Sequence, residues 1–184
     1  MYKKLVTFLV FSLYAPLAAF SADDPSRARL YIPASTNAEV SGCVTCEIKA
    51  SGYSAGYVRG DGFGIGLASS KVTVTGGSDF YYDSGPMIDL SKTWGSNFTF
   101  TFGYGLGISK PTTDYKPNEY WELKGKSSTI FSLGLGYSFG IYEILVKASN
   151  VDVTYDAYYQ GRKSTESDPS WNTSDIGIGI GFTF

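Results

Sequence analysis

The chain has 184 residues, with 15 Lys or Arg and 17 Asp or Glu, and its formal net charge is −2 at pH 7. This mildly acidic balance includes no basic stripe of the kind that binds nucleic acid, so nucleic acid is not an expected partner. The length favours one domain, and 22 Gly, 15 Tyr and 12 Phe suit an exported β-protein, either soluble or membrane-embedded.

The first segment of the chain is apolar from Leu5 to Phe20 and is preceded by a pair of lysines. This layout is typical of a secretory signal peptide, with small residues near Ser21 for cleavage. A membrane anchor is the alternative, but the segment is short for the roughly 20 residues of a spanning helix. We expect residues 1–22 to be a cleaved signal peptide and residues 23–184 to form the mature domain.

Seven strands are predicted in chain order from alternating apolar residues bounded by turn residues. The connections alternate between short and long, as periplasmic turns and extracellular loops do in outer-membrane barrels. Bacterial single-chain barrels have an even strand number, so an eighth strand is expected, and residues 29–35 are the candidate although Pro33 suits only an edge or a rim. If that segment is not a strand, either the strand count or the placement of the first two strands is wrong. The predicted strands are 29–35, 50–58, 62–75, 85–93, 97–109, 128–139, 142–155 and 174–184, with long loops at 76–83, 110–127 and 156–173.

The last strand shows the alternation most clearly. Ile176, Ile178 and Ile180 share one face, and glycines occupy the other. Large residues reach both ends of such strands while the opposite face is small or polar, as expected when the outside meets lipid. A sheet in hydrocarbon must close, because each unpaired backbone group costs several kcal/mol. The sequence predicts an all-β fold, a closed antiparallel up-and-down transmembrane β-barrel of about eight strands.

Two strands depart from this alternation. In the strand 142–155 the apolar residues change parity near Asn150, and in the strand 62–75 they change parity near Ser69 or Ser70. A β-bulge adds one residue to a strand and therefore produces such a change. We expect a bulge at each of the two positions.

The C-terminal run Gly179-Ile180-Gly181-Phe182-Thr183-Phe184, the Gly–aromatic strands and the signal-peptide layout resemble the small outer-membrane β-barrels. That family includes the OmpA transmembrane domain, OmpX and the opacity proteins. The resemblance covers the whole mature chain as a pattern and implies an eight-stranded barrel in the lipid of the bacterial outer membrane. It also implies that Phe182 and Phe184 form the signal read by the barrel-assembly machinery, and it implies no particular activity.

The segment Cys43-Val44-Thr45-Cys46 holds the two cysteines of the chain. Zinc needs about four ligands, which a chain with two Cys and no His does not offer. Haem attachment needs a His where Glu47 stands, and a thioredoxin-like pair needs a βαβ setting. We predict a disulfide between Cys43 and Cys46 in an oxidising compartment, and no cofactor.

Three charged residues are predicted to point into the barrel, because their sequence neighbours carry the apolar face: Asp89, Glu143 and Lys147. A lone buried charge is costly, so we expect pairing across the interior. A network that fills the lumen is the favoured interpretation, since eight-stranded interiors are usually filled by side chains. A gated narrow pore is the alternative.

Catalysis is not expected, because known outer-membrane barrel enzymes resemble one another in using His and this chain has none. The favoured hypothesis is a structural and surface-interaction role, in adhesion or envelope integrity. A narrow porin-like channel for ions or small apolar solutes is the alternative. Exposed aromatic residues of the long loops would contact host or other surface ligands, and the predicted contacts are Tyr115, Tyr120, Trp121, Tyr158, Tyr159 and Trp171.

Overall fold

The computed structural model describes residues 25–38, 47–76, 79–116, 118–165 and 169–184. The predicted signal peptide and the predicted disulfide between Cys43 and Cys46 lie outside the described residues. Across the described ranges, no helix has the length and apolar character needed to cross a membrane.

The described residues form one antiparallel sheet, in which eight long strands make a closed ring. Three short strands of two to four residues add to the ring at one end. In chain order the strands are β1 (Arg27–Ala38), β2 (Glu47–Val58), β3 (Phe63–Thr75), β4 (Phe80–Asp83), β5 (Met87–Trp94), β6 (Phe98–Gly107), β7 (Thr112–Thr113), β8 (Trp121–Phe139), β9 (Tyr142–Tyr159), β10 (Arg162–Lys163) and β11 (Ser170–Thr183).

The pairing of β11 with β1 closes the ring. Arg27 lies opposite Thr183, and Ala38 lies opposite Thr173 at the other end of the ladder. The predicted eight-stranded up-and-down barrel is confirmed, and the candidate strand that contains Pro33 is a full member of it. Pro33 is accommodated beside a register shift between Pro33 and Ser35, as expected for a residue that cannot donate to a ladder.

β1 and β2 pair with each other over only part of their lengths. The ladder joins Arg27 through Tyr31 to Val58 through Ser54. Beyond it, β1 stays paired with β11 and β2 stays paired with β3. We call the unladdered stretch, residues 32–38 and 47–53, the β1–β2 seam.

The two ends of the barrel differ. The short turns at residues 59–62, 95–97 and 140–141 lie at the same end as Ser26 and Phe184, whose backbones exchange two hydrogen bonds of 3.0 Å. The opposite end carries the longer connections and the short strands, and we call it the outer end.

A belt of exposed apolar side chains surrounds the barrel. Leu135, for example, is 64 % exposed and Ile144 is 58 % exposed. A continuous apolar surface of this kind is rare on a soluble monomer, and it matches the lipid-facing band of a transmembrane barrel. The belt includes Leu30, Ile32, Ile65, Leu67, Leu90, Phe100, Leu106, Phe131, Leu133, Leu135, Ile144, Val146, Ile176, Ile178 and Ile180.

Towards the outer end the inner face of the sheet becomes apolar and its outer face becomes polar. In β9, Val146 faces outward below Asn150, whereas Val151 and Val153 are buried inside and Asp152 is exposed. The ladders on both sides of β9 run through Asn150 without a shift. The predicted bulge is therefore wrong there: apolar residues change parity because the strand leaves the membrane belt, and its inner face joins an apolar core.

The same explanation applies to β3. Its ladder with β2 continues through Ser69 and Ser70 without a register shift, so the second predicted bulge is also wrong. Val72 and Val74 are buried inside the barrel, and Lys71 lies on the outer face.

An apolar core fills the outer part of the barrel. β8 and β9 run 19 and 18 residues, so much of the two predicted loops 110–127 and 156–173 is strand. Those segments present polar residues outward, which is why they resemble loops in sequence. The core consists of Ala68, Val72, Val74, Met87, Ile130, Val151, Val153, Tyr155 and Trp171.

Candidate functional site

Buried charges fill the lumen at the level of the belt. Glu143 is 1 % exposed and accepts two hydrogen bonds from Arg29, from Nε at 2.8 Å and from Nη2 at 2.7 Å. The Arg27 Nε atom lies 3.5 Å from the same carboxylate. The remaining Arg29 N–H groups donate to the hydroxyls of Thr93, Thr99 and Thr101. This carboxylate and its arginines therefore have the dense hydrogen bonding that a buried ion pair needs.

A second buried ion pair lies in the lumen, nearer to the outer end. Lys147 Nζ donates to Asp89 Oδ2 at 3.1 Å and to Ser54 Oγ at 2.9 Å. The same ammonium lies 5.2 Å from the centre of the Tyr31 ring. We call these two groups of residues the lumen network.

The structure brings Asp89 and Lys147 together and gives Glu143 different partners. Sequence reasoning missed Arg27 and Arg29, because the predicted first strand starts only at Arg29 and Pro33 obscures its alternation. The available signal was the alternation of Arg27, Arg29 and Tyr31 with apolar residues.

Inward-facing glycines make room for the lumen network. Glu143 lies opposite Gly181, and Lys147 lies between Gly177 and Gly134 on its two neighbouring strands. A Cβ atom built on Gly181 would lie 2.6 Å from Glu143 Oε2. Because a glycine leaves space above the sheet, a long charged side chain can lie across the neighbouring strand.

Two small cavities adjoin the lumen network, and the second of them also borders the apolar core. One of about 30 Å³ is lined by Arg29, Asp89 and Lys147 among others. Another of about 40 Å³ lies behind the β1–β2 seam, between Lys147 and Ile130. Each has room for only one or two water molecules.

Two of the six predicted surface contacts pack into an aromatic cluster inside the outer end. Trp171 was predicted to be exposed in a loop, but it is 7 % exposed and stacks on Tyr82 at 4.4 Å between ring centres. Trp171 faces inward because it belongs to β11, which begins at Ser170, and not to a loop. Tyr115 packs on Phe80 at 4.8 Å. Burial raises the pKa of Tyr82 to about 12 and also raises the pKa of Tyr155.

The other four predicted contacts lie at the outer ends of β8 and β9, at the opposite end of these strands from the short turn that joins them. The Trp121 and Tyr159 ring centres are 5.2 Å apart, and those of Tyr120 and Tyr159 are 6.3 Å apart. Tyr158 alternates with Tyr159 and therefore lies on the opposite face of β9, where it lies under Lys124 Nζ at 4.5 Å. Tyr120 is 51 % and Tyr159 44 % exposed. We call Tyr120, Trp121, Tyr158 and Tyr159 the outer aromatic patch.

The terminal aromatic residues lie at the opposite end. Phe182 faces outward and meets Tyr142 edge-on at 5.6 Å. Phe184 is 72 % exposed and stacks on Tyr57 at 6.2 Å. Both rings therefore belong to the border of the belt near the short turns.

No protein-family model matches the chain, and no curated protein matches it by sequence. Among solved structures it is similar to Neisserial surface protein A, with a TM-score of 0.55 and 12 % identity over 86 % of this chain and 96 % of that one. The outer membrane protein Ail of Yersinia pestis gives a TM-score of 0.42 and 13 % identity, covering 88 % and 100 %. The N-terminal β-barrel domain of Pseudomonas aeruginosa OprF gives 0.40 and 16 %, covering 88 % and 98 %. The closed ring, the apolar belt and the likeness to the neisserial barrel give this chain the fold of the small bacterial outer-membrane β-barrels.

Proposed function

We propose that the protein is a structural outer-membrane barrel that presents its outer end to partners at the cell surface. One observation carries the proposal: β8 and β9, of 19 and 18 residues, continue past the belt around an apolar core. A strand needs only about 9–11 residues to cross the hydrocarbon. The outer part is therefore an ordered extension with a polar surface, suited to holding a binding surface away from the lipid.

The outer aromatic patch is the proposed contact surface. Exposed Tyr and Trp rings supply large contact area, and interfaces are enriched in them. Here the rings lie at the ends of paired strands, where Trp121 lies opposite Tyr159. Their positions are thus fixed before any partner binds, which lowers the ordering cost of binding.

The filled interior supports this role over a narrow channel. The lumen network occupies the belt level, and the apolar core occupies the outer part. An ion crossing the barrel would have to displace a buried ion pair and then pass a desolvating apolar region. We assign no catalytic role.

Three partners are proposed from the surfaces of the barrel. The belt supports embedding in outer-membrane lipid. The outward-facing Phe182 and the terminal Phe184 support recognition of the last strand by the barrel-assembly machinery. The patch supports a host or other surface ligand.

The test compares adhesion of bacteria that display the wild type or the variant Tyr120→Ser/Tyr158→Ser/Tyr159→Ser. Lys49→Ser/Thr73→Ser on the outward face of β2 and β3 is the matched control. We expect several-fold weaker adhesion to host-cell monolayers for the patch variant and no change for the control. Heat-modifiable gel mobility verifies that every variant is folded. Equal adhesion of the wild type, the patch variant and cells without the protein would refute the proposal.

A further inference from the structure

An apolar groove interrupts the belt near the short turns. Its volume is about 530 Å³, and it spans the outward faces of β2, β3, β5 and β6. We call it the belt groove. Its walls include Tyr57, Phe63, Ile65, Leu90, Phe102 and Tyr104, and two basic residues, Arg59 and Lys92, also line it.

The ladders arrange the groove in rows. In the deeper row Leu90 lies between Ile65 and Tyr104, and in the next row towards the short turns Lys92 lies between Phe63 and Phe102. The groove therefore runs from a wholly apolar row to a row that contains a cation.

Lys92 is on the outward-facing side of β5, but its neighbours cover it and leave it only 2 % exposed. The next row, Trp94 opposite Phe100, still lies between Lys92 and the turn at the barrel end. The Lys92 Nζ atom donates a hydrogen bond to the backbone oxygen of Asp61 at 2.7 Å and lies 4.0 Å from the centre of the Phe63 ring. A lysine on the lipid face of a barrel is destabilising, less so near the interface, and an anionic neighbour offsets that cost.

Arg59 places a second cation at the same end of the groove. Its Nη2 atom lies 3.2 Å from Asp61 Oδ2, and its side chain is 68 % exposed. Arg59, Lys92 and the carboxylate of Asp61 together leave a net positive charge at this end of the belt groove, and Arg59 is the exposed cation of the two. A guanidinium group binds phosphate oxygens in a bidentate manner and keeps its charge.

We propose that the belt groove is a site for one anionic phospholipid of the periplasmic leaflet. An acyl chain lies along Leu90, and the phosphate binds Arg59 next to Lys92. Apolar walls of this size must be filled by lipid in a membrane, and the positive end selects the charge of the headgroup. The proposal rests on the membrane orientation given by the short turns, and it does not depend on binding at the outer aromatic patch.

Native mass spectrometry of the detergent-extracted barrel tests the site, after exchange into an equal mixture of phosphatidylglycerol and phosphatidylcholine. We expect one retained phosphatidylglycerol, favoured several-fold over phosphatidylcholine. Arg59→Gln should remove the preference for the anionic headgroup, and Leu90→Trp should lower the retention of both lipids by filling the groove. Arg162→Gln and Ile144→Trp are matched controls, because both residues are exposed and lie on β9 or the short strand paired with it, across the barrel from the groove.

Both groove substitutions are on the exposed surface, and gel mobility before and after boiling checks that each variant is folded. Equal retention of the two lipids by the wild type would overturn the proposal, as would an unchanged preference in Arg59→Gln. Lipid retention that survives Leu90→Trp, or a mass of two chains in place of a lipid adduct, would also overturn it. Loss of adhesion in the patch variant has no bearing on these outcomes.

Discussion

Arg29 and Glu143 are joined by two hydrogen bonds across Gly181, although 114 residues separate them in the chain. Arg29 and Glu143 each lie directly opposite Gly181 in the ladders of β11 with β1 and with β9. The pair therefore bridges three strands at the point where the first strand meets the last. It connects the N-terminal strand to the C-terminal part of the closed barrel.

Breaking this pair should destabilise the barrel. Arg29→Met leaves Glu143 as a buried carboxylate without its main partner, and we expect a loss of about 3–5 kcal/mol in the free energy of unfolding. The double variant Arg29→Met/Glu143→Leu should recover only part of that loss, because it removes both charges of the pair but also removes the carboxylate that lies 3.5 Å from Arg27 Nε. Urea unfolding in lipid vesicles, followed by Trp fluorescence, measures the four members of the cycle. Additive losses in the double variant would show that the two side chains do not act as a pair.

The filled lumen predicts that the wild-type barrel does not conduct. In planar bilayers we expect no stable conductance steps, because Lys147 and Asp89 pair below the apolar core. Lys147→Ala should also show no conductance steps, since the apolar core at Ile130 and Val151 still fills the outer part of the barrel. Reproducible steps in the wild type, absent from protein-free bilayers, would restore the channel hypothesis.

At high pH the packing of the apolar core should be lost while the strands at belt level stay folded. Tyr residues in an unfolded chain have a pKa of about 10, whereas burial raises the pKa of Tyr82 to about 12 and that of Tyr155 as well. The folded state thus holds these protons more tightly, so their contribution to stability is complete below pH 10 and is lost as the pH rises from 10 towards 12.

Trp171 reports on this transition because it stacks on Tyr82. In a Trp94→Phe/Trp121→Phe background, its fluorescence should change above pH 10 while far-ultraviolet circular dichroism retains the β signal. Tyr82→Phe should reduce the pH dependence. A fluorescence change that is complete below pH 9 would contradict this assignment.

The β1–β2 seam should be the least protected part of the barrel wall at belt level. Outside the ladder of Arg27 through Tyr31, the facing edges of β1 and β2 do not pair with each other. Amides near Ile32 and Tyr53 should therefore exchange at least about tenfold faster than those of 143–148, which are laddered on both sides. Solution nuclear magnetic resonance in detergent micelles resolves the individual amides. Equal protection in the two regions would show that the seam is closed in solution.

The membrane-spanning half was predictable from sequence because its outward residues are uniformly apolar. Ile176, Ile178 and Ile180 define the face of β11 without any tertiary information, and the short turn at Gly140 and Ile141 follows from the same pattern. The inward direction of Glu143 also follows from parity. Its pairing with Arg29 does not, because that contact depends on how the ring closes.

The outer half was not predictable in the same way. Val151 and Val153 carry the same signal as a β-bulge, and only the unbroken ladder of β9 distinguishes a bulge from an exchange of faces. Trp171 in a polar segment resembles an exposed loop residue. Its burial depends on Tyr82, which a separate short strand supplies.

Quenching by brominated lipids tests the central claim, that alternate apolar side chains face lipid while their neighbours face an enclosed interior. Leu135→Trp, in a background with Trp94, Trp121 and Trp171 replaced by Phe, places one indole on the belt, where Leu135 is 64 % exposed. The comparison protein keeps only Trp171, which lies in the apolar core. In vesicles of lipid brominated on the acyl chains, we expect strong quenching of the Leu135→Trp indole and little quenching of Trp171. A Leu135→Trp indole that is as poorly quenched as Trp171 would contradict the account.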